Sequence, residues 1–128
     1  MSTLQRYRKK PDTAVTAVCV DLDTDGFTYK KWGGVQTCKP GDWLVDNDGD
    51  VYTIDAKTFE STYREVEPGR YVKSAPVWAE VADSDGVIKT KEGSTEYRSG
   101  DYLVYNGPNR TDGYAMGPKK FEEMYEPD

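Results

Sequence analysis

The sequence predicts an α+β fold made of two tandem β-rich repeats, each with about four short strands and a C-terminal helix. One observation is a five-residue motif that occurs in two versions, Gly41-Asp42-Trp43-Leu44-Val45 and Gly100-Asp101-Tyr102-Leu103-Val104. A second is a pair of matching endings, Phe59-Glu60-Ser61-Thr62-Tyr63 and Phe121-Glu122-Glu123-Met124-Tyr125. Similarity at a spacing of about 60 residues indicates an internal duplication. We therefore expect a first repeat at 1–66 and a second at 67–128.

Alternating apolar residues and turn signals place the same elements in both repeats. In the first repeat they predict strands at 13–22, 27–31, 41–46 and 51–54 and a helix at 56–66. In the second they predict strands at 77–82, 87–91, 100–106 and 113–116 and a helix that begins at Pro118. An Asp-Gly turn links the first two strands of each repeat. Asp55 is the predicted N-cap of the first helix, and proline suits the first position of the second.

The repeated strand is predicted to lie at the centre of the fold. Side chains alternate along a strand, so Trp43 and Val45 face one side and Leu44 the other. A unit of about 60 residues buries little apolar surface by itself. We therefore expect the two repeats to face each other about a pseudo-twofold axis, in one compact domain with a shared aromatic-rich core.

Composition excludes several classes of function. The chain has 17 Lys and Arg, 23 Asp and Glu, a net charge of −6 and no histidine. The negative charge disfavours nucleic acid and anionic membranes as partners. The absence of histidine removes Ser-His and Cys-His dyads and His-ligated zinc. No apolar run approaches the roughly 20 residues of a membrane span, and no signal-peptide core follows Met1. We expect a cytoplasmic protein, a monomer or weak homodimer, with its two cysteines reduced.

One stretch has the spacing of a metal-binding loop. Asp21, Asp23 and Asp25 precede Gly26, as carboxylates do at the start of an EF-hand calcium loop. The twelfth position is Trp32 instead of the bidentate glutamate, and the flanking segments are predicted strands. A structural hairpin turn is the favoured interpretation, and calcium at the three aspartates is the alternative. No other cofactor is expected.

Aromatic residues near loops give the candidate ligand-binding residues, because exposed rings anchor ligands and partner proteins. The loop at 106–113 is longer than its counterpart, and such differences often have a function. The alternative is that these rings cover the edges of the sheet. The candidates are Trp32, Trp78, Tyr97, Tyr105, Tyr114 and Asn106.

Three segments resemble a family of small phage and prophage proteins. They are the opening Tyr7-Arg8-Lys9-Lys10-Pro11, the strand Gly41-Asp42-Trp43-Leu44-Val45, and Phe59-Glu60 followed by Tyr63. Proteins of this family begin with a YRKKP-type segment, pass through a GDW-hydrophobic strand and end in a short F-E-x-x-Y helix. The resemblance implies an accessory protein of phage or mobile-element origin and assigns no catalytic residues. The duplication and the second repeat's Tyr71-Val72-Lys73-Ser74-Ala75-Pro76 opening depart from the family pattern.

The sequence leaves three functions open. The first is a non-enzymatic binding module for a protein or a small polar ligand, held near the groove between the repeats or the 106–113 loop. The second is an acidic inhibitor that imitates nucleic-acid phosphates and occupies the basic groove of a host or defence protein. The third is a small hydrolase that uses Asp or Glu.

Overall fold

Strands dominate the described part of the chain, residues 4–11 and 14–128 of the computed structural model. Two short helices accompany them, so the chain is β-rich with a minor helical part. The elements up to residue 73 are β1 (Gln5–Lys9), β2 (Val15–Cys19), β3 (Phe27–Lys31), β4 (Gly34–Cys38), β5 (Trp43–Asn47), β6 (Asp50–Ile54), α1 (Ala56–Thr62), β7 (Tyr63–Glu67) and β8 (Arg70–Lys73). The remaining elements are β9 (Val77–Val81), β10 (Gly86–Lys89), β11 (Ser94–Tyr97), β12 (Tyr102–Gly107), β13 (Thr111–Met116), α2 (Pro118–Met124) and β14 (Tyr125–Pro127).

The strands form two five-stranded antiparallel sheets, each associated with one helix. Sheet B has the order β6-β5-β2-β8-β7, and sheet A has the order β13-β12-β9-β1-β14. The remaining four strands form two separate two-stranded ribbons, β3–β4 and β10–β11. Strand β8 lies beside β2, with Val15 opposite Tyr71, and β1 lies beside β9, with Tyr7 opposite Val77. The first strand of the chain therefore sits inside the sheet that is otherwise formed by β9 and β12–β14.

The predicted strands are present, with shifts of one to three residues at most ends. The strand predicted at 27–31 matches β3, and those predicted at 51–54, 77–82 and 113–116 overlap β6, β9 and β13. Thr13, predicted to begin the first strand, lies outside the described residues. The expectation of about four strands per repeat is wrong, because β1, β4, β7, β8, β11 and β14 were not predicted. Each of these strands contains at most one Val, Ile, Leu or Phe, so none of them gives a clear apolar alternation.

The helix predicted at 56–66 is wrong in its second half. Helix α1 ends at Thr62, and Tyr63 has the extended backbone angles φ −120° and ψ 153°. Residues 63–67 instead form β7, which a Pro68-Gly69 turn returns into β8. Gly69 has a φ of 77°, which proline followed by glycine favours in a type II turn. Consequently neither helix is the last element of its unit, because β14 likewise follows α2.

The predicted helix starts are confirmed. The Asp55 carboxylate accepts a hydrogen bond from the backbone N–H of Thr58 at 3.2 Å, which is N-cap geometry. Pro118 occupies the first turn of α2, where its missing N–H leaves no hydrogen bond unmade.

Most of the buried apolar residues form two clusters, where the sequence predicted one shared core. The cluster on sheet B contains Val15, Ala17, Val45 and Phe59. The cluster on sheet A contains Val77, Ala79, Val104, Phe121 and Tyr125. Each helix contributes one phenylalanine that stacks on an aromatic ring of its own sheet, with ring centroids 4.3 Å apart for Phe59–Trp43 and 4.0 Å for Phe121–Tyr102. Each sheet and its helix thus bury a cluster of their own.

Asp42, the aspartate of the first Gly-Asp-aromatic motif, connects the segment before β5 to the start of α1 through hydrogen bonds. Asp42 is 1% exposed, and its carboxylate accepts from the backbone N–H groups of Lys39 at 2.9 Å and Ala56 at 3.0 Å. We expect Asp42→Ala to lower the free energy of unfolding by about 2–3 kcal/mol, because it leaves buried donors without an acceptor. Urea denaturation measures the change.

The aligned Asp101 supplies the matched control. Its carboxylate accepts one backbone N–H bond, from Arg98 at 3.0 Å, at an exposed site. Asp101→Ala should therefore lower the free energy of unfolding by less than about 1 kcal/mol. Equal losses in the two variants would contradict the structural role assigned to Asp42.

Candidate functional site

A cavity of about 290 Å³ lies between the two sheets. The edge strand of each sheet lines it: β6 through Tyr52, Thr53 and Ile54, and β13 through Tyr114, Ala115 and Met116. Helices α1 and α2 contribute to the same lining, so the cavity is enclosed by elements from both sheets. Its volume suits a small organic molecule, near the lower end of the range for ligand pockets.

A buried lysine, Lys73 at the end of β8, lies in this cavity. The residue is 7% exposed. Its Nζ donates to Asn106 Oδ1 at 2.6 Å and to the Tyr114 hydroxyl oxygen at 3.2 Å, and both groups are neutral. The ammonium also lies over the rings of Tyr63 and Tyr114, at 5.7 and 5.3 Å from their centroids. Burial lowers the pKa of Lys73 to about 7, with a further contribution from the positive charge of Lys9.

Tyrosine hydroxyls surround the lysine. Burial raises the pKa of Tyr52 to about 12 and also raises the pKa values of Tyr63, Tyr114 and Tyr125. The hydroxyls of Tyr114 and Tyr125 are 3.4 Å apart. These phenols therefore stay protonated across the physiological range and act as neutral hydrogen-bond donors and acceptors.

Carboxylates at the edge of the cavity are paired with donors. Asp50 lies 2.8 Å from Lys31 Nζ and also forms an ion pair with Lys120. Partial burial raises the pKa of Asp50, but the two lysines together outweigh this effect and the net shift is downward. Asp112 accepts from Thr58 Oγ1 at 2.9 Å, while Lys91 Nζ lies 3.6 Å from it.

The backbone at two of these positions is unusual. Asp112 has a φ of 55° and Trp32 a φ of 56°, in the left-handed region that bulky residues seldom adopt. Trp32 lies in the turn between β3 and β4, is 42% exposed and lines the cavity beside Tyr52, with ring centroids 5.7 Å apart. Strained positions of this kind concentrate at functional sites.

An open surface groove continues from the cavity. The residues that line both are Asn47, Asp50, Gly117, Lys120 and Met124. The groove and the cavity that contains Lys73 therefore adjoin each other at these five residues.

The structure brings three of the six predicted ligand-binding residues together at the cavity. Trp32, Asn106 and Tyr114 all line it, although the first is distant in sequence from the other two. Asn106 connects two charged groups, because its Oδ1 accepts from Lys73 and its Nδ2 donates to Asp112 at 3.2 Å. The predicted 106–113 loop is wrong in its extent, since β12 and β13 leave only residues 108–110 between them.

The other three predicted residues lie elsewhere. Trp78 pairs across the strands with Tyr105 and lies beneath the Arg6 guanidinium, whose Cζ is 5.9 Å from the ring centroid. Tyr105 is 7% exposed and donates to Glu80 at 3.0 Å. Tyr97 belongs to β11, opposite Gly86 of β10. Trp78 lies between the core residues Val77 and Ala79 in β9, and Tyr105 follows Val104 in β12. Because side chains alternate along a strand, Trp78 and Tyr105 occupy the face of sheet A opposite its core.

The three aspartates of the EF-hand-like stretch are exposed. Their turn is held by a hydrogen bond from the Gly26 N–H to Thr24 Oγ1 at 3.1 Å, and Gly26 has a φ of 104°. Within residues 4–11 and 14–128, no group of three or more Cys, Asp or Glu side chains is arranged to hold a metal ion. Asp21, Asp23 and Asp25 therefore do not converge in this structure.

Sequence reasoning missed Lys73, Tyr52 and Tyr63. The repeat boundary at 66/67 places Lys73 near the beginning of the second repeat, whereas in the structure it ends a strand of sheet B. The Pro68-Gly69 turn was the available signal, because a hairpin there places Lys73 opposite Tyr63.

In the described segments, neither helix is long and apolar enough to cross a membrane. Comparison of the chain with protein-family models, with curated proteins and with solved structures finds no match.

Proposed function

We propose that this protein is a non-enzymatic binding module, an accessory protein of phage or mobile-element type, whose small polar ligand occupies the cavity between the sheets. The supporting observation is a buried lysine in an aromatic-lined cavity that opens to a surface groove. Burying an ammonium group without a carboxylate is unfavourable. Ionisable groups whose pKa is strongly shifted by burial cluster at functional sites.

Two tandem repeats related by a pseudo-twofold axis are part of this proposal. Corresponding contacts support it: Lys73 pairs across the strands with Tyr63, and Lys9 pairs with Tyr125 in the other sheet. Contacts between the units are reciprocal as well. Lys120 of α2 reaches Asp50 of β6, and Thr58 of α1 reaches Asp112 of β13. A self-complementary interface of this kind is what twofold symmetry produces, and in this proposal the axis passes through the cavity.

A variant that fills the cavity tests the proposal. Ala115 lines it from β13, so we expect Ala115→Phe to abolish the binding of small ligands while the fold is kept. Ligand-observed NMR with a library of small polar compounds measures binding to both proteins. Val87→Phe is the matched control, because Val87 is 61% exposed on β10 and adds the same ring outside the cavity.

Three outcomes distinguish the functions. Compounds that bind the wild type and Val87→Phe but not Ala115→Phe support the binding module. Salt-sensitive capture of a basic protein from host lysate, unchanged in Ala115→Phe, would instead support the acidic inhibitor. Turnover of a substrate that is lost on replacing one carboxylate would support the hydrolase and contradict a purely binding role.

A further inference from the structure

We propose that Lys73 binds its ligand covalently and reversibly, forming an imine with a small neutral aldehyde or ketone that enters the cavity. This inference rests on the proposed function, because it takes the cavity as the ligand site. The ligand class follows from the position of the amine, the hydroxyl beside it and the charge of the walls.

The amine is placed for attack on a carbonyl group. Asn106 Oδ1 accepts one N–H of Lys73 at 2.6 Å, which fixes the direction of the side chain. The Tyr114 hydroxyl lies 3.2 Å from Nζ, so it can donate a hydrogen bond to a carbonyl oxygen held next to the amine. The rings of Tyr63 and Tyr114 flank the same nitrogen and favour a flat or apolar ligand body.

The charge of the lining favours a neutral ligand over an anion. Five carboxylate side chains and two lysines line the cavity. Two of those carboxylates, Asp50 and Asp112, face lysines, yet the lining as a whole remains negative and repels an anion. A neutral carbonyl compound avoids this repulsion and still reaches the Lys73 amine.

The protonation state of the amine supports the same assignment. The pKa of Lys73 is lowered to about 7 by burial and then by Lys9, and Asp112 acts in the opposite direction. A large fraction of the side chain is therefore the free amine at neutral pH, whereas an ordinary lysine is almost fully protonated. The titratable groups that face it from the surrounding strands are Lys9 of β1, Tyr63 of β7, and Asp112 and Tyr114 of β13. The Tyr125 hydroxyl of β14 lies next to that of Tyr114.

The covalent step balances without any redox partner. The lone pair of Nζ attacks the carbonyl carbon, and a proton moves from nitrogen to oxygen to give a carbinolamine. Loss of that hydroxyl group together with the remaining N–H proton releases one water and leaves a C=N bond. Water reverses the reaction, so the ligand is released unchanged.

Reductive trapping tests the inference with benzaldehyde as the probe and sodium cyanoborohydride as the trapping reductant. Peptide mass spectrometry then reports benzylation at each lysine. We expect Lys73 to be labelled more than about tenfold faster than the exposed Lys119 at pH 7.5, because a large fraction of Lys73 is the free amine at that pH. Lys73→Met should lose the fast label, and Ala115→Phe, which keeps the amine, should slow it.

Benzyl alcohol separates this inference from the proposed function, because it has the same ring and no carbonyl. If benzyl alcohol binds the cavity and competes with fast labelling of Lys73, both proposals are supported. If it binds the wild type but not Ala115→Phe while benzaldehyde labels all lysines at similar rates, the imine is overturned and the binding module stands. Fast labelling of Lys73 that Ala115→Phe leaves unchanged would overturn the cavity as the site of reaction.

Discussion

Deletion of residues 1–10 is expected to unfold sheet A. Strand β1 lies between β9 and β14, so its loss removes the hydrogen bonds of both neighbours. It also removes Tyr7, whose ring contacts Phe121 edge-on with centroids 4.9 Å apart. The loss of a strand and of part of the core should cancel most of the roughly 5–15 kcal/mol by which a domain of this size is stable. Near-ultraviolet circular dichroism and urea denaturation of residues 11–128 measure the effect.

A circular permutant tests whether sheet A needs β1 itself or needs β1 at the beginning of the chain. In sheet B, the Pro68-Gly69 turn joins β7 directly to β8, and β1 takes the corresponding place beside β14. A chain that starts at residue 14 and joins Asp128 through a Pro-Gly turn to residues 6–11 should regain the lost stability. The same permutant with Tyr7→Ala should regain less. If residues 11–128 alone are as stable as the whole chain, the assignment of β1 to sheet A is contradicted.

Lys73→Met is expected to remove a rise of stability with pH. In the folded protein the pKa of Lys73 is about 7, while an unfolded lysine titrates near about 10.4. Between these values the unfolded chain binds more protons than the folded one, so the free energy of unfolding increases with pH, by up to about 1.4 kcal/mol per unit. Below about pH 7 both states are protonated and the buried charge destabilises the fold fully. The variant should therefore be more stable than the wild type at pH 6, by an amount that shrinks toward pH 9.

Urea denaturation at intervals between pH 6 and pH 9 gives the slope of the unfolding free energy against pH for the wild type and for Lys73→Met. Lys119→Met is the control, since Lys119 is exposed and its replacement should leave the slope unchanged. Lys9 contributes a weaker effect of the same sign, because burial lowers its pKa to about 8. Identical slopes in the wild type and Lys73→Met would show that Lys73 keeps its ordinary pKa and is solvated.

Several strands could be predicted because local patterns indicate them. The segment 27–31 alternates side chains and follows an Asp-Gly turn, and the structure has β3 there. The end of α1 could not be predicted in the same way. Residues 63–67 carry a pattern compatible with helix or strand, and pairing with β8 decides between them. The position of β1 depends on contacts with residues more than 100 positions away, which no local pattern contains.

The site could be predicted only in part for the same reason. Tyr114 and Asn106 follow from the rule that polar and aromatic residues near turns bind ligands, and both line the cavity. Trp78 and Tyr105 satisfy the same rule, yet they lie on the opposite face of sheet A. Lys73 is an ordinary lysine in the sequence, and tertiary contacts with β12 and β13 bury it. Burial of a polar group by the tertiary fold is the property that the sequence conceals.

The titration of Lys73 tests most directly the claim that a buried amine in the cavity is the functional centre. Carbon-13 labelling of the lysine Cε atoms and NMR spectra from pH 5 to pH 11 follow each amine separately, with Lys73→Met assigning the resonance. The structure predicts a midpoint of about 7 for Lys73, and a shift of that resonance, though not of the exposed Lys119, when benzyl alcohol is added. A midpoint near the ordinary lysine value of about 10.4, with no response to the alcohol, would contradict the account.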